Sequence, residues 1–124
     1  MEDKEGVEKK VLREGNGTDF PKKSDRVTIE YTGYLYDPSR SDIDYKGTQF
    51  DSSVDRGDFI TQIGVGKVIR GWDEGVLNMS LGEKSTLLIS SGYGYGKRGF
   101  PGHIPANSRL VFDVELKAIN DKKV

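Results

Sequence analysis

Hydrophobic positions follow a two-residue period along much of the chain. In the clearest stretch, residues 26–36, the residues predicted to face inward alternate with Thr, Glu and Tyr; they are Val27, Ile29, Tyr31, Gly33 and Leu35. Because strand side chains point alternately to two faces, this pattern predicts a strand with one buried face. Gly33 within it predicts a bulge or the close approach of a neighbouring element. Further strands are predicted at residues 7–12, 48–53, 59–65, 85–89 and 109–118.

One short stretch has helical spacing instead. Ile69, Trp72 and Val76 lie at i, i+3 and i+7, on one face of a helix predicted over residues 68–77. A helix this short cannot bury its apolar face alone, so strands must cover it. One helix and five or six strands with hairpin-like connections predict an antiparallel α+β fold. Trp72 is then central to the core or to a pocket.

Two long connections separate these elements. Residues 37–47 are polar and predict a solvated excursion between two strands. Residues 90–108 are rich in Gly, Pro and Tyr, and a structureless loop of this length in a compact domain usually carries function. We expect one domain over residues 1–124, with a core at about 7–119 and short flexible tails.

The composition narrows the class of protein. With 19 basic and 20 acidic residues the net charge is -1, which argues against sequence-independent contact with nucleic acid. The absence of cysteine excludes disulfides and thiol chemistry. The charged N-terminus has no apolar core of a signal peptide, and no apolar run is long enough to span a membrane. We therefore expect a soluble cytoplasmic protein, with the nucleus as a second location.

Several kinds of catalytic site lack their residues. His103 is the only histidine, and no G-x-S-x-G elbow accompanies it. Gly64 and Gly66 are followed by Ile69 where a dinucleotide-binding motif needs its third glycine. The aspartates of residues 42–44 resemble a calcium loop only weakly, since Lys46 occupies a ligand position. No metal or cofactor is expected.

The chain offers abundant aromatic and aliphatic side chains instead. Apolar walls with a few placed polar groups are typical of a ligand site. Asp51, Arg56 and the hydroxyls of Tyr31 and Tyr95 could supply the polar groups. The candidate walls are Tyr31, Phe50, Phe59, Val68, Ile69, Trp72, Tyr95, Ile104 and Phe112.

A series of short motifs carries a resemblance to a known family. In chain order they are Tyr31-Thr32-Gly33, Phe50-Asp51-Ser52-Ser53, Gly64-Val65-Gly66, Val68-Ile69-Arg70-Gly71-Trp72, Tyr95-Gly96 and Leu110-Val111-Phe112-Asp113-Val114-Glu115-Leu116. In these motifs the chain resembles the FKBP-type peptidyl-prolyl cis-trans isomerases over about residues 7–119. Residues 50–57 and 98–102 look particularly like the single-domain fungal members. The resemblance implies a five-stranded antiparallel half-barrel sheet wrapped around one short α-helix.

The resemblance also implies roles around a pocket between helix and sheet. Trp72 would be its floor, Asp51 and Tyr95 its polar contacts, and Arg56 the residue that holds Asp51. The walls would be Tyr31, Phe59, Val68, Ile69 and Phe112, with Phe50 beside them. The backbone N–H of Ile69 would also bind ligand. The catalytic residues implied are Asp51, Tyr95, Trp72 and Phe112.

The long loop and three other places carry departures from the family. Ile104 would overhang the pocket, and the neighbouring Phe100 and His103 stand where the family often has a histidine and an isoleucine. The hairpin loop of residues 36–49 is longer than the usual tight turn. Thr61 stands where a second aromatic residue is common in the family. The stretch that contains Lys67 is one residue shorter than in some relatives. We also predict ligand contacts for Phe100 and His103.

The implied activity is rotation of X–Pro bonds without a covalent intermediate. The implied partners are X-Pro-containing peptides and proteins, and the macrolides tacrolimus and rapamycin, with calcineurin or the TOR kinase as partner of the drug complex. No nucleic-acid or membrane partner is expected, and the expected state is a monomer. Two alternatives are a binding module in which isomerisation is incidental, and a binder of single-stranded nucleic acid, which would need a basic groove with exposed aromatic residues.

Overall fold

The computed structural model describes residues 5–124, and within them it contains seven strands and one α-helix. The strands are β1 (Val7–Arg13), β2 (Arg26–Tyr36), β3 (Lys46–Ser52), β4 (Phe59–Gln62), β5 (Lys84–Ile89), β6 (Leu110–Ile119) and β7 (Lys122–Lys123), and the helix is α1 (Arg70–Gly75). All paired strands are antiparallel, and five of them follow the order β1-β5-β6-β2-β3. The predicted α+β fold, a five-stranded antiparallel sheet with one short helix, is confirmed.

The edge next to β2 consists of two pieces. β3 pairs with the second half of β2, whereas β4 pairs with its first half. Between them, residues 53–58 leave the sheet as an excursion. Its base is closed at Ser53, whose N–H donates to the carbonyl of Tyr31 at 2.9 Å. The N–H of Tyr31 in turn donates to Ser53 Oγ at 2.8 Å.

The core lies between the inner face of the sheet and α1. The alternation predicted for β2 is confirmed from Val27 to Gly33, where every second residue is buried and its neighbours are not, whereas Leu35 is only partly buried. The fully buried apolar strand residues are Val27, Ile29, Leu87, Ile89, Leu110, Val111, Val114 and Leu116. Two helical glycines let α1 lie close to β5. A Cβ on Gly71 would be 2.6 Å from Ile89 Cδ1, and one on Gly75 would be 2.9 Å from Leu87 Cδ1.

The connection from β4 to α1 differs from the predicted bounds. The strand ends at Gln62 instead of residue 65, and the helix begins at Arg70 instead of residue 68. The chain turns at Gly64 and Gly66, whose φ angles are 82° and 79°, values that L side chains rarely adopt. Asp73 holds this turn, since its Oδ1 accepts the N–H of Gly64 at 2.7 Å and its Oδ2 that of Gly66 at 2.8 Å.

The prediction of flexible tails needs correction at the C-terminus. Lys122–Lys123 forms β7, which pairs with the end of β6. The N–H of Val124 also donates to the carbonyl of Lys117 at 3.2 Å. Of the tail predicted at the N-terminus, residues 1–4 lie outside the described residues. Gly6 exchanges two hydrogen bonds of 3.0 Å with Ser90.

The long connection between β2 and β3 is only partly the solvated excursion predicted. Residues 38–43 are exposed, but the segment then folds back onto the outer face of the sheet. Tyr45 stacks on Tyr36 with ring centroids 4.9 Å apart. Asp44, one of the aspartates of the weak calcium-loop pattern, forms an ion pair of 2.7 Å with Lys10 on β1.

Candidate functional site

A cavity of about 220 Å³ opens between α1 and the inner face of the sheet. Its lining residues come from four strands or their ends, the turn before α1, the helix and the long loop. They are Tyr31, Phe50, Asp51, Phe59, Lys67, Val68, Ile69, Trp72, Tyr95 and Phe112. Sequence reasoning selected all of them except Lys67. The structure therefore brings most of the predicted residues to one place.

The floor of the cavity is a cluster of edge-to-face aromatic rings around Trp72. Its ring centroid lies 4.8 Å from Tyr31, 5.1 Å from Phe112 and 5.8 Å from Phe59. Each such pair contributes ~0.5–1.5 kcal/mol beyond the burial of its area. The indole N–H of Trp72 is buried and has no acceptor among the described residues. Ring packing, not a hydrogen bond, therefore holds the floor in place.

Gly33 makes room for two rings of the wall. A Cβ at this position would lie 2.6 Å from Phe112 Cε1 and 2.8 Å from Phe50 Cζ. The register between β2 and β3 also shifts immediately after Gly33. Both the close approach and the bulge that the sequence predicted are present. Any larger residue here would displace Phe50 and Phe112 from these positions.

A hydrogen-bond network fixes the carboxylate at the edge of the cavity. The hydroxyl of Tyr31 donates to Asp51 Oδ2 at 2.7 Å. Arg56 Nη2 donates to Asp51 Oδ1 at 2.8 Å and to the Tyr31 hydroxyl at 3.2 Å. Burial and the hydrogen bond to Asp51 raise the pKa of Tyr31 to about 12, so its hydroxyl remains a donor at neutral pH.

Arg56 holds Asp51 from outside the cavity. Its Nε also donates to the carbonyl of Ser52 at 2.8 Å, which fixes the guanidinium on the excursion of residues 53–58. The Arg56 and Asp51 side chains are 62% and 43% exposed, so their ion pair adds little to stability. Its effect is to orient the carboxylate. Arg56 lines a separate recess beside Tyr31 and Phe59.

Besides the indole N–H of Trp72, two other hydrogen-bond donors on residues that line the cavity have no acceptor among the described residues. One is the hydroxyl of Tyr95, whose pKa is raised by burial and by the nearby charge of Asp51. The other is the backbone N–H of Ile69, which precedes α1 in an extended conformation with ψ of 149°. The Ile69 carbonyl is already used, because it accepts the N–H groups of Trp72 and Asp73 at 3.0 and 3.1 Å.

A second cavity of about 200 Å³ adjoins the first at its rim. It shares Phe50, Asp51 and Tyr95 with the first and is completed by Phe100, His103 and Ile104. These last three belong to the long loop, which is not structureless. Phe100 and Ile104 exchange two backbone hydrogen bonds of 2.8 Å, and His103 stacks on Phe100 at 5.3 Å. The loop thus forms the rim, and Phe100, His103 and Ile104 do not line the main cavity.

Sequence reasoning missed two residues of this region. Lys67 lines the cavity mouth, and the only signal for it is its place directly before Val68 and Ile69. Asp73 positions the turn that carries Lys67. It can do so only because the N–H groups of Gly64 and Gly66 point towards its carboxylate. The paired glycines were visible in the sequence, whereas the direction of their N–H groups was not.

Two further kinds of feature, metal-binding clusters and membrane-spanning helices, are absent from the part of the chain that the structure describes. No three His, Cys, Asp or Glu side chains there are grouped closely enough to hold a metal ion. No helix among residues 5–124 has the length and apolar character needed to cross a bilayer. The structure brings together at this site packed rings, one carboxylate and the unpaired donors of Ile69, Trp72 and Tyr95.

Fold and cavity together define a small α+β protein with a pocket lined by aromatic side chains. Residues 17–117 match the family described as FKBP-type peptidyl-prolyl cis-trans isomerase. The chain belongs to this family, and it is a peptidyl-prolyl cis-trans isomerase. The family and the activity implied by the sequence motifs are thereby confirmed.

Similar proteins are found across the fungi. A peptidyl-prolyl cis-trans isomerase of Schizosaccharomyces pombe is 62% identical over 119 residues, which cover 95% of this chain and 98% of the relative. FK506-binding protein 1A of Aspergillus fumigatus is 59% identical over the same shares of both chains. FK506-binding protein 1 of Yarrowia lipolytica is 59% identical over 93% of this chain and 99% of its own. The resemblance to single-domain fungal members is confirmed by these relatives.

Proposed function

We propose that the aromatic cavity binds the proline of a peptide and is the place where its X–Pro bond rotates. The observation that carries this proposal is an apolar floor of packed rings beside two unpaired donors, Tyr95 O–H and Ile69 N–H. A pyrrolidine ring is apolar, and the amides next to it offer carbonyl acceptors. The cavity matches both needs of that ligand.

The reaction requires rotation, not bond exchange. Rotation about an amide bond loses resonance, and the barrier is ~18–20 kcal/mol. The planar amide is strongly dipolar and well solvated, whereas the twisted amide is less so. Transfer into an apolar cavity therefore costs the ground state more than the transition state. No nucleophile or base is needed, which agrees with a site that contains one carboxylate already engaged by Tyr31 and Arg56.

The side chains are proposed to divide this work. Trp72, Phe112 and Ile69 hold the pyrrolidine ring, while the Tyr95 hydroxyl and the Ile69 N–H bind the flanking carbonyls. Asp51, fixed by its two hydrogen-bonded neighbours, acts on the carbonyl carbon of the twisted amide. Tyr31, Phe50, Phe59 and Val68 serve as walls, and Arg56 acts through Asp51.

Tacrolimus (FK506) and rapamycin are proposed as ligands of the same site. Several similar fungal proteins are called FK506-binding proteins. The main cavity of about 220 Å³ is smaller than the ~300–1,000 Å³ typical of drug sites, so a macrolide would extend into the adjoining cavity of Phe100, His103 and Ile104. Engagement of calcineurin or the TOR kinase by the drug complex, a monomeric state and a cytoplasmic and nuclear location remain predictions.

A protease-coupled isomerase assay with an X-Pro peptide tests the site. We expect Trp72→Leu to lower kcat/KM by tenfold or more, equivalent to a loss of ~1.4 kcal/mol of transition-state stabilisation. Phe20→Leu is the matched control, because Phe20 is 45% exposed and does not line the cavity. Circular dichroism checks that both variants fold.

Tacrolimus is added to the same assay, and we expect it to abolish the catalysed rate. A folded Trp72→Leu enzyme with full activity would contradict the assignment of the cavity. Activity that tacrolimus does not change would contradict the drug site and leave the isomerase activity standing.

A further inference from the structure

Only two of the ten residues that line the main cavity are charged, Asp51 and Lys67. Asp51 is compensated, since Arg56 lies 2.8 Å from one carboxylate oxygen and the Tyr31 hydroxyl donates to the other. The ammonium of Lys67 is hydrogen-bonded to the neutral side-chain carbonyl of Gln62, and no carboxylate among the described residues forms an ion pair with it. The uncompensated charge at the mouth of the cavity is therefore positive.

From this arrangement we infer that Lys67 makes the enzyme prefer substrates with an acidic side chain close to the proline. The inference rests on the proposed binding of proline in the main cavity. Lys67 would then be a specificity-determining residue that recognises a carboxylate on the peptide. It touches a flanking side chain and takes no part in bond rotation.

The position of Lys67 along the chain supports this contact. Lys67 precedes Ile69 by two residues, and the Ile69 N–H is one of the unpaired donors. Two extended residues span ~7 Å. This distance is the most that can separate the two backbones, so a peptide whose carbonyl accepts the Ile69 N–H lies within reach of the Lys67 side chain. A four-carbon side chain with a charged end can follow the flanking residue over that distance.

Neighbouring charges reduce the field of Lys67 but do not cancel it. Asp73 is the nearest acidic residue along the chain, and both of its oxygens accept backbone N–H groups of the turn before α1. Lys67 is exposed, so water and salt screen its charge. An exposed ion pair of this kind changes affinity by about two- to fivefold.

The experiment compares three peptides that differ beside the proline. They carry Glu, Gln or Lys at one position, and the series is made once before and once after the proline. For the wild type we expect kcat/KM to follow Glu > Gln > Lys on one side of the proline, with a Glu-to-Gln ratio of about two to five at low salt. The ratio should fall towards one at high ionic strength.

Variants then assign the preference to one ammonium group. Lys67→Gln should bring the Glu-to-Gln ratio to one, and Lys67→Glu should invert it. Lys97→Gln removes the same charge from an exposed position that lines neither cavity, and it should keep the wild-type ratio. Each ratio is taken within one variant, so a general loss of activity does not affect it.

Two outcomes would overturn the inference. Equal rates for the Glu and Gln peptides on both sides of the proline would show that Lys67 selects nothing. A preference for Glu that survives in Lys67→Gln would assign it to another group. In either case an active enzyme leaves the proposed proline site intact, whereas loss of activity in Trp72→Leu tests that site separately.

Discussion

Tyr31 joins the core, the floor of the cavity and the polar network in one side chain. Its ring is buried and lies edge-to-face against Trp72, while its hydroxyl donates to Asp51. Ionisation of this hydroxyl would place a second negative charge beside the carboxylate. Burial and the bond to Asp51 accordingly raise its pKa to about 12, compared with ~10 for an ordinary tyrosine.

This shift predicts a loss of stability at high pH. Folded Tyr31 holds its proton more tightly than unfolded Tyr31, so the contribution is fully present below about pH 10 and disappears as the pH rises towards 12. In urea unfolding followed by circular dichroism, the free energy of unfolding should fall more steeply over this interval in the wild type than in Tyr31→Phe. Parallel pH profiles for the two proteins would contradict the prediction.

At the level of single residues, sequence reasoning succeeded where the motif itself identifies the side chain. Trp72 and Phe112 have helix and strand spacings that place them inward, and both line the cavity. Lys67 and Asp73 were missed for a physical reason. Their importance depends on the direction in which a turn points its backbone N–H groups and a flexible side chain. Neither the strand period nor the helix period of the sequence contains this information.

The helix and β5 are packed more closely than side chains on both elements would allow. Gly71 faces three side-chain atoms of Ile89, which would be 2.6 to 2.8 Å from a Cβ at that position. Alanine is the better helix former by ~1 kcal/mol, so propensity alone would favour it here. Overpacking of a core costs ~1–3 kcal/mol, and we expect that term to prevail because β5 is held between β1 and β6 in the sheet.

Gly71→Ala should therefore destabilise the protein by about 1–2 kcal/mol in urea unfolding. The double variant with Ile89→Val tests the cause, since valine lacks Cδ1, one of the atoms that a Cβ at Gly71 would meet at 2.6 Å. Ile89→Val alone should cost ~0.5–1.5 kcal/mol, and in the Gly71→Ala background it should cost less or restore stability. Strict additivity of the two changes would show that this contact does not limit the approach of the helix.

At the level of elements, strand existence was predictable and some strand ends were not. The alternation in β2 reproduced its bounds because one face is buried from Val27 to Gly33 and Leu35 still packs partly against the core. β4 was predicted too long because the apolar alternation continues past Gln62, although Gly64 turns the chain away. β7 was missed because two lysines carry no hydrophobic pattern, and their strand exists only through pairing with β6.

At the scale of the whole molecule, one side of the sheet faces the cavity and the other is covered in part by the connection between β2 and β3. Val111 points outward between two inward residues of β6, yet it is fully buried. Leu88, its partner on β5, lines a recess of the outer face together with Asp44 and Tyr45. Lys46 adds an ion pair of 2.8 Å with Asp113 on β6. The connection therefore packs on the face opposite the cavity.

Excision of residues 38–44 tests whether this connection matters to the enzyme. The N–H of Asp37 donates to the carbonyl of Tyr45 at 2.8 Å, so an Asn-Gly turn can join the two ends without strain. The shorter loop gains ~1 kcal/mol of closure entropy. It loses the exposed ion pair between Asp44 and Lys10, worth ~0.2–1 kcal/mol. These terms nearly offset each other, and Tyr45 with its stacking on Tyr36 is retained.

We therefore expect the shortened enzyme to keep its stability within about 1 kcal/mol, since the two opposing terms are of similar size. Its kcat/KM on a neutral X-Pro peptide should stay within twofold of the wild type, because no excised residue lines either cavity of the site. Lys10→Gln in the full-length chain isolates the lost ion pair. If the shortened enzyme folds but loses activity tenfold, the outer face must be coupled to the cavity through β6, whose Phe112 and Asp113 face the two sides.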